Sequence, residues 1–300
     1  MQPLEGTLVV DLTRYLPGPF ASRELLRLGA RVVRIEPPGG DPMRETAPTW
    51  HDALNAGKES ITLDLKEEPQ RARELCANAD VVIEGMRPGV AERLGIGPAD
   101  LPDTVVYCSI TGFGLRGSHE QRAGHDLNYQ GWAGLLADTA PALPPVQVAD
   151  LAAGSLTAVM QILAALLARE RTGRGEHIVV SMTHRSHWFA AHRLGGEPIP
   201  KLLTGGLACY RVYSTADGRH LTVAALEQKF FARLCELLSL EELTSRQYDP
   251  DAQAELANTL AETFASKPLR AWLELFDRED VCVGPVATLE EAAADLGSAR

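Results

Sequence analysis

Short apolar runs alternate with helix-length segments through the first two-thirds of the chain, and this alternation constrains the fold more than any other feature. Thr7–Leu12 (TLVVDL), Arg31–Glu36 (RVVRIE), Ser60–Leu65, Asp80–Glu84 (DVVIE), Thr104–Ile110 (TVVYCSI) and Ile178–Met182 read as strands. Phe20–Leu28, closed by Gly29, and Glu68–Asn78 read as helices between them. Runs this apolar suit strands buried on both faces, and repeated strand–helix–strand units imply a parallel sheet covered by helices on both sides. Leu151–Arg169 is rich in Ala and Leu around most of its circumference, as a central buried helix would be. The expected fold class is α/β, with a large Rossmann-like parallel-sheet domain over residues 1–190. Residues 191–217, with glycines at 195, 196, 205 and 206 and prolines at 198 and 200, read as a linker. Residues 218–300 read as a smaller α+β domain. It has strands at His220–Ala225 and Val281–Val286, helices at Glu227–Leu238, Asp251–Ser266 and Pro268–Asp277, and a last acidic helix.

Composition removes several function classes. The 300 residues carry a net charge of -11, the wrong sign for a protein that neutralises nucleic-acid phosphates. Cys76, Cys108, Cys209, Cys235 and Cys282 are odd in number and scattered, which predicts reduced thiols and a cytoplasmic location. The start, Met-Gln-Pro-Leu-Glu-Gly, has neither the basic nor the apolar region of a secretory signal, and the longest apolar stretches are read as too short to span a membrane. No Gly-x-Gly-x-x-Gly follows the first strand and no Gly-Lys-Ser/Thr occurs, so neither a dinucleotide nor a nucleoside-triphosphate loop is expected. No metal site and no prosthetic group are predicted.

Two segments carry chemistry. Gly124-His-Asp-Leu-Asn-Tyr and Val146-Gln-Val-Ala-Asp-Leu-Ala-Ala-Gly each set an ionisable side chain, His125 and Asp150, beside glycine near an expected helix start. A histidine and a carboxylate together can take a proton from one face of a carbon and return one to the other. The plainer reading is a buried, hydrogen-bonded histidine and a helix-capping Asp.

The chain resembles the family III coenzyme A transferases (the CaiB/BaiF group), and within them the α-methylacyl-CoA racemases. The resemblance runs through Leu4-Glu-Gly, Val10-Asp-Leu-Thr, Pro17-Gly-Pro, Leu28-Gly-Ala-Arg-Val-Val-Arg-Ile-Glu and Leu63-Asp-Leu-Lys. It continues through Glu84-Gly-Met-Arg-Pro-Gly-Val-Ala-Glu-Arg-Leu-Gly, Thr111-Gly-Phe-Gly, the His125 motif and Arg171-Thr-Gly-Arg-Gly. Each motif is weak alone; their order and spacing together are specific.

This resemblance implies the fold of that family and an acyl-CoA thioester as substrate, with coenzyme A entering only as part of it. It implies His125 and Asp150 as the two bases of a racemase, assisted by Glu227. In a transferase the carboxylate at Asp150 would instead be the nucleophile. A third possibility is an acyl-CoA-binding homologue without catalysis. CoA contacts are implied for Leu63, Asp64, Leu65, Lys66, Gly85, Met86, Arg87 and Arg93, and for Gly124, Asp126, Leu127, Asn128 and Tyr129 of the His125 motif. Arg87 and Arg93 read alternatively as solvated charges, and Glu227 as a first-turn helix residue. The resemblance also implies an interlocked homodimer.

Three departures stand out. Pro37 occupies a position where relatives carry an Arg near the adenosine, with Arg44 as the expected substitute. Leu151-Ala-Ala-Gly is poorer in glycine than in the racemases, and is expected to narrow the acyl pocket. The chain ends at Arg300, so a segment returning to the large domain is expected to be short or absent.

Overall fold

Six short strands, β1 (Leu8–Asp11), β2 (Arg31–Glu36), β3 (Glu59–Thr62), β4 (Val81–Glu84), β5 (Val106–Thr111) and β6 (His177–Ser181), form one parallel sheet in the order β3-β2-β1-β4-β5-β6. We describe a computed structural model covering residues 2–196, 199 and 201–297. The helices are α1 (Pro17–Arg27), α2 (Met43–Thr46), α3 (Pro48–Asn55), α4 (Pro69–Ala77), α5 (Val90–Arg93), α6 (Asp126–Trp132), α7 (Thr157–Thr172) and α8 (Met182–Ala190).

The strands are apolar on both faces because both faces are covered. Val9, Val81, Ile83, Val106, Cys108 and Ile110 point to one side, where Ala21 and Leu25 of α1 and Ala158 and Ile162 of α7 complete a core. Val10, Val82 and Tyr107, one residue out of step, point to the other, with Ala72 and Cys76 of α4. Side chains alternate along a strand, so adjacent apolar residues require two cores. This is the α/β architecture that the alternating runs predict.

Helix α7 is preceded without a break by a π-helical segment, Ala149–Leu156. Together they make one helix of 24 residues, Ala149–Thr172, whose most apolar 18-residue stretch has mean hydropathy 1.9, long and apolar enough, by length and composition, to cross a membrane. That corrects the expectation that no stretch reaches this length. Its buried residues include Ala149, Ala153, Ala158, Ile162 and Ala165, so one face belongs to the core. Leu156, Met160 and Leu167 lie on the other face and are exposed.

The chain divides into Met1–Leu194 and Gly195–Arg300. The second unit holds an antiparallel sheet of β7 (Tyr210–Ser214), β8 (His220–Ala224) and β9 (Val283–Pro285) in that order. Helices α9 (Gln228–Leu238), α10 (Gln253–Phe264) and α11 (Leu269–Phe276) contribute Phe231, Leu234, Leu260, Phe264 and Trp272 to its core, and α12 (Leu289–Leu296) follows. Strand β7 falls inside the segment read as a linker, and Leu207, Ala208 and Cys209 ahead of it are buried. Only Tyr213 of β7 is buried, so its sequence carries no apolar alternation to announce a strand. Pro198, Pro200 and Arg300 lie outside the described residues. All five cysteines are free, four of them buried and Cys282 exposed.

Candidate active site

In an open parallel sheet the connections after strands on either side of an order reversal run in opposite directions, leaving a crevice at their C-terminal ends. Here the reversal lies between β1 and β4. The loops leaving β1, β4 and β5 line that crevice, which holds two adjoining cavities of about 650 and 620 Å³. Thr13, Arg14 and Tyr15 after β1, and Gly85, Met86 and Arg87 after β4, border both. No glycine fingerprint is needed to make a cleft here, because the strand order alone produces it.

The β1 loop is held from beneath. Buried Asp11 accepts hydrogen bonds from the Thr13 backbone N–H (2.9 Å) and from the hydroxyls of Thr13 and Ser22. Lys58, with no exposed side-chain surface, donates to the carbonyl of Pro19 (2.8 Å) and to Asn55 Oδ1 (2.9 Å), and lies 3.5 Å from Asp11 Oδ2. Desolvation lowers the Lys58 ammonium to about 8, against the pull of Asp11. Gly18 returns the chain so tightly that a Cβ there would lie 2.1 Å from Thr13 Oγ1. Between these anchors Tyr15 adopts a left-handed conformation, φ 67°, a costly geometry for an aromatic residue.

His125 precedes α6, half of a cavity-facing turn that also brings Gly124, Asn128 and Tyr129 to the larger cavity. Its backbone N–H donates to Asn128 Oδ1 (3.1 Å), and its carbonyl accepts from the backbone N–H groups of Asn128 and Tyr129. The imidazole is exposed and meets the ring of Tyr15 edge-on at 6.5 Å. Tyr129 donates to the carbonyl of Gly124 (2.5 Å), and a Cβ at Gly112 or Gly124 would come within 2.5 or 2.7 Å of its ring. Both glycines are therefore demanded by the close approach of one tyrosine.

Asp150 lies in the first turn of the π-helical segment and lines the same cavity as His125. Its backbone N–H donates to Asp126 Oδ1 (3.0 Å). Its carbonyl accepts from the hydroxyl of Ser155 (2.9 Å), which also reaches the carbonyl of Pro17 (2.6 Å). Among the described residues nothing donates a hydrogen bond to its carboxylate. Burial, and secondly the charge of Asp126, raise the Asp150 carboxyl to about 7. A carboxyl poised there can both hold and release a proton near neutrality.

The structure sorts the residues singled out in the sequence. His125 and Asp150 share the larger cavity with Gly124, Asn128 and Tyr129. Leu63, Asp64, Leu65 and Lys66, which follow β3, line the smaller one, together with Gly85, Met86 and Arg87. Asp126 is buried behind Asp150, with Gln130 donating to its Oδ2 (2.6 Å), and is off both walls. Exposed Leu127 and Arg93 are also off both walls. Leu151, Ala152, Ala153 and Gly154 do not line the larger cavity, so this segment does not narrow it. Gly154 instead abuts Met182, where a Cβ would sit 3.1 Å from the thioether. Pro37 borders the smaller cavity, while Arg44 is tied to Glu36 at 2.7 and 3.1 Å. Glu227 stands exposed in the second unit, at the N-terminal end of α9. Arg14, Tyr15 and Arg122 line the site without having been singled out; the neighbouring Pro17-Gly-Pro turn was the nearest signal. Among the described residues no cluster of three or more His, Cys, Asp or Glu side chains is arranged to hold a metal ion.

Comparison with known proteins agrees with this geometry. The profile of CoA-transferase family III matches residues 4–299. The chain is 36% identical to the alpha-methylacyl-CoA racemase of Homo sapiens, over 96% of this chain and 78% of that protein. It is 33% identical to the succinyl-CoA:glutarate CoA-transferase of Mus musculus, over 98% of this chain and 74% of that protein. Among solved structures, a CaiB/BaiF family protein from Brucella suis superposes with a TM-score of 0.82 at 31% identity, covering 98% of this chain and 86% of that one. The cleft at the switch point, its two cavities and the whole-length match lead to one assignment: the chain belongs to CoA-transferase family III.

Proposed function

We propose that this protein racemises 2-methylacyl-CoA thioesters by removing and returning the α-proton, with His125 and Asp150 as the two acid–base groups. The observation that carries this reading is that both line one cavity and that the Asp150 carboxyl is raised to about 7. One group takes the α-proton, and the C–H electron pair becomes the enolate double bond as negative charge moves to the thioester oxygen. The conjugate acid of the other then returns a proton to carbon. The Asp150 carboxyl, raised to about 7, can both hold and release a proton near neutrality, and the His125 ring nitrogens can accept or donate one. The smaller cavity, with Lys66, Arg87 and the Leu63–Leu65 turn, suits the phosphate-bearing coenzyme A portion.

A transferase, with Asp150 as the acyl-accepting nucleophile, is the second reading. It is favoured by the absence of any protein hydrogen bond to that carboxylate among the described residues, which leaves it available for attack. The two readings separate cleanly. Purified protein is incubated with single-enantiomer 2-methylacyl-CoA in deuterium oxide, and α-deuterium is read by mass spectrometry. Wash-in lost in both His125→Ala and Asp150→Ala is the racemase outcome. Absence of wash-in, with CoA transfer to free acids and an acyl adduct at Asp150, refutes it in favour of the transferase. Neither activity, with retained thioester binding, identifies a binding homologue. The assisting role implied for Glu227 is tested in the same assay by Glu227→Gln.

We place the protein in the cytoplasm, in keeping with its five free cysteines, and propose that it works as an interlocked homodimer. The exposed Leu156, Met160 and Leu167 recur at helical spacing along Ala149–Thr172, an apolar stripe suited to a second copy. Sedimentation as a monomer at micromolar concentration refutes that assembly.

A further inference from the structure

Three arginines line the larger cavity: Arg14, Arg87 and Arg122. Arg14 and Arg87 also border the smaller cavity, so the coenzyme A side accounts for them. Arg122 borders only the cavity that holds His125 and Asp150. It is held in place without being neutralised. Its Nε donates to His119 Nδ1 (3.0 Å), and its guanidinium carbon lies 5.4 Å from the centroid of the Trp132 ring, which the His119 ring meets on its own account at 4.3 Å. Among the described residues its two terminal nitrogens make no hydrogen bond and no ion pair. Glu120 stands on the same wall but does not pair with it.

Several arginines of the chain are met by carboxylates, as in Arg31–Glu59, Arg169–Asp80, Arg219–Glu291 and Arg246–Glu255; among the described residues Arg122 is not. A planar guanidinium fixed at one edge, with its outer edge open, offers two parallel N–H donors to a carboxylate. The rest of the wall argues the same way. Met86, Ile110, Met182 and the Tyr15 ring give it apolar surface beside the polar Glu120, Asn128 and Arg122, a mixed lining that suits a short acyl chain ending in a polar group.

We infer that Arg122 is a specificity-determining residue that pairs with a carboxylate on the acyl chain, so that the site takes CoA monothioesters of short dicarboxylic acids. This rests on the acyl-CoA reading above, and its test is independent of proton transfer. Thioethers lack the thioester carbonyl and cannot form its enolate, so S-(3-carboxypropyl)-CoA and S-butyl-CoA report binding alone. Calorimetry with the full chain is expected to give about tenfold tighter binding of the carboxylate form, the size of one solvent-accessible charge-assisted pair. Arg122→Gln is expected to erase that preference and leave S-butyl-CoA binding unchanged. Equal binding of the two thioethers, repeated with one carbon fewer and one more, overturns the inference, as does a preference that survives in Arg122→Gln. Wash-in without carboxylate preference refutes the Arg122 role and keeps the racemase; carboxylate preference without wash-in does the reverse.

Discussion

Replacing Asp150 by Asn should stabilise the protein, and by an amount that grows with pH. The carboxyl rises from an ordinary 3.8 to about 7 because it is buried without hydrogen-bond donors, with Asp126 adding repulsion. The native state thus holds this proton more tightly than the unfolded chain does. Its contribution is complete below about pH 4 and is lost as pH rises through about 7. The displacement corresponds to about 4 kcal/mol at roughly 1.4 kcal/mol per pH unit. Asn is the neutral isostere, so Asp150→Asn should match the wild type near pH 3. Integrating the proton balance, it should gain about 2 kcal/mol at pH 5 and about 4 kcal/mol at pH 8. Urea unfolding at pH 5 and pH 8, followed by tryptophan fluorescence, measures the difference; Trp50, Trp132 and Trp188 report on the first unit. Stabilisation that fails to grow between the two pH values, or a variant less stable than wild type at pH 8, refutes the account of Asp150 as a strained, desolvated acid. The same substitution abolishes the proposed catalysis, so stability and activity move in opposite directions, as expected where a functional group is held at a cost.

Asp126→Asn keeps an oxygen for the Asp150 backbone N–H and removes the repulsion, so the apparent pKa of Asp150 should fall yet stay above the ordinary carboxylate value, because burial is the larger cause; the acid limb of the pH–wash-in profile reads this. Lys58→Ala strips donors from the Pro19 carbonyl and Asn55 and leaves Asp11 without its cation, which should cost about 3–5 kcal/mol in urea unfolding. Gly18→Ala forces a methyl into Thr13 and should cost about 1–3 kcal/mol while weakening thioether binding, measured by thermal unfolding and calorimetry. Unchanged binding there would mean that the β1 loop does not form the cleft wall in solution.

The strands β1, β2, β4 and β5 were legible because burial on two faces makes them continuous apolar runs. Edge strand β7, with one buried residue, was invisible for the same reason reversed. Helix α8 reads Met-Thr-His-Arg-Ser-His-Trp-Phe-Ala, and its histidines and exposed aromatics mask any apolar stripe. At the site, His125 and Asp150 stand out because a short motif surrounds each. Arg122 does not, since its open edge exists only once the β1, β4 and β5 loops close around a cavity. Nor does Tyr15, whose left-handed backbone is imposed by the Asp11 and Gly18 anchors rather than by its own residue type. The family resemblance implies a ligand contact for Asp126, whereas the structure puts it one layer back, holding the Asp150 backbone.

The π-helical turn at Ala149–Leu156 works like a vernier between the setting of Asp150 and the packing of α7. Its wider coil carries an extra residue ahead of α7, so the angular setting of Asp150 is set apart from the register of Thr157–Thr172. Deleting one residue between Leu151 and Gly154 would let the coil tighten to α geometry. Asp150 would then swing about 100° around the axis while the downstream core stayed in step. Divergence of chemistry within such a scaffold is therefore within reach of a single insertion or deletion, a kind of change that substitution scans do not sample.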